Sequence, residues 1–200
     1  AENIITIDPN DQEKIYIKHL QKGHIEITYG PSYNLHNKLF GSIKCMDSKL
    51  MYRNSPDVIG IGANEVNPCW YVELTKKTTK DMGPLLYEVL IEFISHYKKA
   101  SLKPDARSVS VQAKNVWQKF DQRSDITKIQ LDVNQGIVDN YPDMKQITPD
   151  NVRDDTQQFS ASYDSPDDWT QSPLSRSYKK NNTHLIDILK THNPPLIVID

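Results

Sequence analysis

Residues 73–99, "ELTKKTTKDMGPLLYEVLIEFISHYKK", carry the clearest chemical pattern in the chain: a strand-like stretch, a polar loop, Gly83-Pro84 and an apolar helix. A helix that starts this way points unpaired N–H groups and the positive end of its dipole at the loop, an arrangement suited to a phosphate. The alternative is a turn that simply leads into a core helix. The two readings imply different functions, and both stay open at this level.

Other chemistry has less support. The six histidines (His19, His24, His36, His96, His184, His192) never fall at i, i+4 on one helix or beside a cysteine at ligand spacing, so no metal site is expected. Cys45 and Cys69 lack a CxxC context and read as buried free thiols, which suits a reducing compartment. No Gly-x-Ser-x-Gly elbow and no P-loop is present. "KLFGSIKCMDSKLMYR" mixes lysines with aromatics as a nucleic-acid contact does, but an edge strand protected by lysines gives the same pattern. A formal charge of −2 supplies no global field to recruit nucleic acid.

The elements that would position these groups are read from periodicity. "KIYIKHL", "HIEITYG", "KLFGSIKCM", "DVIGIG" (57–62) and "CWYVELT" (69–75) read as strands. From Pro84, Leu86, Leu90, Phe93 and Tyr97 recur at helical spacing, with Leu85, Val89 and Ile94 widening the stripe. A helix apolar over so much of its circumference should be buried against a sheet. A second helix is expected from near Ser108, with Ala113, Val116, Trp117 and Phe120 on one side, and "TKIQLDV" (127–133) as a further strand. This order predicts a mixed α/β (α+β) fold in which the helix after 69–75 crosses over to a neighbouring strand.

Composition changes near Val138. Residues 139–182 are rich in Asp, Ser, Gln and Pro, and read as an extended polar segment that needs a partner or assembly to hold it. Residues 183–200 read as a short helix with an apolar docking tail. No apolar run is long enough to span a bilayer, and "AENIITIDPNDQEK" has no signal-peptide pattern, so no membrane association is expected.

Taken together, "GPLLYEVLIEF", "LKPDARSVSVQAKNVWQKF" and "RSD" resemble the GNAT (Gcn5-related N-acetyltransferase) superfamily, and within it a group of small phage-encoded GNAT-like proteins. The resemblance spans about residues 35–135. It implies a GNAT-like domain over 1–138, with a mixed central sheet flanked by helices. It also implies acetyl-CoA as the cofactor, its pyrophosphate held by the backbone amides of Thr79, Lys80, Asp81, Met82 and Gly83. Glu73 stands where some members place a base that deprotonates an amine through water. Three positions depart from the family pattern. Asp81 replaces a loop glycine and sets a carboxylate beside the pyrophosphate, while Thr78 replaces an Arg or Gln. Trp117 stands where a Tyr would protonate the departing thiolate, and an indole N–H is no general acid. With these departures the expected role is a structural or interaction module with a degenerate acyl-CoA site. Its partner would be a protein or a virion assembly engaged through the polar C-terminal segment, and its location the host cytoplasm or the virion. The alternative is an active N-acyltransferase acting on a protein or nucleic-acid amine.

Overall fold

The computed structural model describes residues 14–20, 23–30, 41–47, 69–77, 82–104, 109–133, 156–157, 172–192 and 195–199. The expected strand at 57–62, the loop at 78–81 and most of the polar segment lie outside them. The described elements form a mixed α+β fold. An eight-stranded mixed sheet has the spatial order β10-β1-β2-β3-β4-β5-β9-β6.

Strands β1 (Lys14–Leu20), β2 (His24–Gly30), β3 (Gly41–Asp47) and β4 (Cys69–Lys77) form an antiparallel meander. Alternation sets its two faces. Ile15, Ile17, Ile25, Ile27, Ile43 and Cys45 point into the main core. Lys18, Glu26 and Lys44 alternate with them on the other face and are only half buried.

Helix α1 (Met82–Tyr97) joins β4 to β5 (Ser101–Lys103), which pairs parallel with β4, as the crossover reading requires. Eight apolar side chains between Leu85 and Ile94 are buried. At ~1.5–3 kcal/mol each, burial on this scale explains a helix insensitive to the modest propensity of Val89, Ile91 and Ile94. Gly41 lets α1 approach: a Cβ there would sit 3.2 Å from Leu86 Cδ1.

Helix α2 (Val111–Gln122) starts three residues later than its apolar pattern suggests, because Ser110 caps it by accepting from the Ala113 N–H at 3.2 Å. Strand β6 (Ile126–Gln130) comes next, then a short parallel pair of β7 (Asp132–Val133) and β8 (Thr156–Gln157). A 3-10 turn (Pro173–Ser175) leads into β9 (Arg176–Lys180).

Strand β9 departs from the sequence reading. Composition assigns its residues to the polar segment, yet the strand lies inside the sheet between β5 and β6. Each buried polar side chain there has a partner, so burial costs little. Ser177 accepts from the Ser101 hydroxyl at 3.0 Å, and Tyr178 donates to the Pro173 carbonyl at 2.5 Å. Lys180 sits between Glu88 and Glu92. After β9, α3 (His184–Thr191) packs on α1, and β10 (Ile197–Ile199) adds in parallel to β1. No described helix is long and apolar enough to cross a membrane.

Candidate functional site

Strands β4 and β5 pair at only three positions, Cys69↔Ser101, Trp70↔Leu102 and Tyr71↔Lys103. Beyond Tyr71, among the described residues, β4 runs on to Lys77 paired with β3. Its ladder with β3 contains a register shift. Lys44 pairs with Leu74 but Cys45 with Val72, leaving Glu73 as the extra residue of a β-bulge. Such a residue drops out of the ladder and bends its strand.

The helix-covered side of β4 and β5 carries a cluster of aromatic side chains. On α1, Tyr87 accepts from the Thr75 hydroxyl of β4 at 3.4 Å. The Trp117 indole meets Tyr87 edge-on at 5.6 Å and stacks on Tyr178 at 5.4 Å. Phe120 adds a second edge-to-face contact to the indole at 5.8 Å. Tyr178 pairs with Leu102 of β5, so the cluster touches both β4 and the neighbour of β5. Trp117 is 1 % exposed and Tyr178 0 %, which makes Trp117 a core residue. Burial pushes the Tyr87 phenol above its ordinary pKa, opposed by the Thr75 hydrogen bond, so it stays protonated at neutral pH.

Glu73 lies on the other face. It pairs with Lys44 Nζ at 3.1 Å and approaches His24 Nε2 at 3.5 Å, with its side chain 38 % exposed. The structure therefore places Glu73 and the Trp117 indole on opposite faces of the sheet. On Glu73's face, Cys69 Sγ, Ser101 Oγ and Ser177 Oγ form a buried row across β4, β5 and β9, at 3.2 and 3.0 Å. Of the expected cradle, Met82 and Gly83 open α1, while Thr79, Lys80 and Asp81 lie outside the described residues. A Cβ on Gly83 would meet nothing within 4 Å, so no described atom requires glycine there.

The densest polar cluster stands elsewhere, between α1, β9 and α3, and sequence reasoning missed it. Arg123 holds Glu88 through two hydrogen bonds, at 2.6 and 2.9 Å, and Asp125 through two more, at 2.8 and 2.6 Å. Glu92, 0 % exposed, accepts from Lys180 Nζ at 2.6 Å and from the backbone N–H groups of Leu185 and Ile186 at 2.9 and 2.8 Å. A buried carboxylate of α1 thus caps α3, whose own N-cap residue, Thr183, makes no capping bond. Burial opposes ionisation of Glu88, but hydrogen bonds from Arg123 and Lys180 outweigh it and hold the carboxyl below its ordinary range. Asp125 is lowered by its hydrogen bond from Arg123. The one hint in the sequence was the Glu88/Glu92 spacing, which sets two acids on one face of an otherwise apolar helix.

Both cysteines are buried free thiols, as their context suggested, and burial pushes the Cys45 thiol far above its usual pKa. Among the described residues, no group of three or more His, Cys, Asp or Glu side chains could hold a metal ion. In comparisons with known proteins, the chain matches no family model and no curated protein.

Proposed function

We propose that this is a GNAT-like protein that serves as a structural or interaction module, with an acyl-CoA site closed by its own side chains. One observation carries the reading: Tyr87, Trp117 and Tyr178 are buried on the helix-covered side of β4, tied to one another and to Thr75. The order strand, loop, helix, parallel strand, helix agrees with the architecture that the resemblance implies. Trp117 is buried in the core, and an indole N–H cannot protonate a thiolate. The resemblance alone carries the setting, a virion or the cytoplasm of an infected host. Residues 139–171, poor in aliphatic side chains, are the partner-binding element of this reading, on composition alone.

Isothermal titration with CoA and with acetyl-CoA, up to sub-millimolar concentration, tests the proposal. No heat of binding is expected. Saturable binding overturns the closed site.

The second reading is an acetyl-CoA-dependent N-acyltransferase acting on a protein or nucleic-acid amine. It draws on the bulge at Glu73, whose side chain is partly exposed. Direct attack on a thioester needs little beyond a neutral, aligned amine. Thiol release from acetyl-CoA in the presence of an amine, abolished by Glu73→Gln, would establish it.

A further inference from the structure

Lys103 of β5 is 1 % exposed, and a lysine is almost never buried so fully unless a carboxylate meets it. Its side of the sheet sharpens the point. Leu102 and Tyr178 point into the main core, where α1, α2 and α3 bury their apolar side chains. By alternation Ser101, Lys103 and Ser177 lie on the opposite face, with Cys69 and Tyr71 of β4 beside them. All five are buried, although the core that the described helices share is on the other side.

A carboxylate for Lys103 has few sources. On the same face, Glu73 is engaged by Lys44 and His24, and Glu26 stands on β2, three strands from β5. Residues 134–171, between β7 and the 3-10 turn, hold eight aspartates against Lys145 and Arg153, a net charge of −6 in a chain whose total is −2. Residues 48–68, the long stretch between β3 and β4, balance Lys49 and Arg53 against Asp57 and Glu65. The acidic stretch also begins and ends close to Lys103. The Leu131 N–H donates to the Ser175 carbonyl at 3.1 Å, and the Gln130 side-chain amide donates to it at 3.0 Å, which ties both ends together at β6 and β9. Strand β9 is the neighbour of β5. Two strand spacings, ~10 Å, separate β6 from β5, a short span for a stretch of this length.

We propose that residues 134–171 dock on the face of β4, β5 and β9 opposite the helices, with an aspartate of that stretch paired to Lys103. The hydroxyls of Ser101 and Ser177 suit a polar occupant there. The docking is independent of whether the chain binds CoA. One consequence rests on the interaction reading above: a partner that takes this stretch competes with Lys103 for the carboxylate, and so presents cations of its own.

Trypsin tests the docking in the full-length chain, since Lys145 and Arg153 lie inside the stretch. Lys103→Met keeps an unbranched side chain and removes the charge. Breaking a buried pair should speed cleavage at Lys145 and Arg153 at least about tenfold, because undocking lets the stranded aspartate reach water. Exchange protection of the Leu86–Ile94 amides checks that α1 stays folded. Of the eight aspartates replaced singly by asparagine, at least one should reproduce the Lys103→Met rate. These variants remove no core side chain, so the test stands even if Lys103→Met fails to fold. Asp105, two residues from Lys103, is the rival acid, and Asp105→Asn should leave cleavage unchanged. Parental cleavage rates in a folded Lys103→Met chain overturn the proposal. So do eight silent asparagine variants, or an Asp105→Asn chain that matches Lys103→Met. The readout is the docking alone, so its failure leaves the interaction reading to be judged by its own titration.

Discussion

Replacing Glu92 by alanine should release the C-terminal unit without unfolding the sheet. The carboxylate makes two bonds to backbone N–H groups and one to Lys180, all in a place closed to water. Hydrogen bonds to a charged group are worth ~1.5–3 kcal/mol each, and stranding one member of a buried pair costs ~3–5 kcal/mol. Those figures do not add, because the chain has an escape. Once α3 undocks, Lys180 and the α3 amides reach water, so the loss is capped at the docking free energy of the unit. We expect about 3 kcal/mol for Glu92→Ala and about half as much for Glu92→Gln, whose amide oxygen still accepts from one N–H. Urea unfolding followed by tryptophan fluorescence gives the totals. Amide exchange locates them: Leu185, Ile186 and the β10 amides should lose protection while β2 and β3 keep theirs. A Glu92→Ala chain within about 0.5 kcal/mol of the parent, or a glutamine variant worse than the alanine one, would refute the assignment of Glu92 as the cap.

Two further outcomes rest on the same geometry. Trp117→Ala should cost ~3–5 kcal/mol in urea unfolding, since it empties the centre of the Tyr87–Trp117–Tyr178 cluster; a loss below about 1 kcal/mol would show that the cluster packs loosely. The lowered carboxyl pKa values of Glu88 and Asp125 set an acid limit. Groups lowered in the folded state stabilise it fully above their unfolded values, about 4.3 and 3.9, and that stability is lost as pH falls through the folded values. The urea midpoint should therefore hold from pH 7 to about 5 and drop below about 4. Arg123→Ala, which removes the principal donor to both acids, should flatten that drop.

The legible parts of this fold are those where a local pattern matches a local environment. Helix α1 could be read from Leu85 to Ile94 because nearly every side chain there meets apolar surface. The tail reads as apolar for the same reason, since "LIVI" after two prolines has little use except burial, but its strand pairing with β1 was not legible. Strand β9 was hidden because "RSYKK" is tolerable inside a sheet only with Glu88 and Glu92 opposite Lys180, and those acids lie about ninety residues earlier. The side of the strand on which Glu73 lies could not be read, since the bulge breaks the two-residue alternation at that position. The role of the 3-10 turn was hidden too. Its Pro173 carbonyl receives the Tyr178 hydroxyl, a contact between residues that composition alone assigns to a solvated segment. Gly83 stands out through its place in a motif, yet the glycine on which α1 rests is Gly41, hidden in an ordinary strand pattern.

The pairing of β10 with β1 joins the first described strand to the last. Contacts so distant along a chain carry the largest loop-closure penalty and form late in folding. During synthesis, β1 therefore emerges long before its neighbour exists, and an open backbone ladder with Ile15 and Ile17 waits through most of translation. Lys14 and Lys18, which flank that ladder, are the kind of charged residues that keep a bare edge from joining another nascent chain.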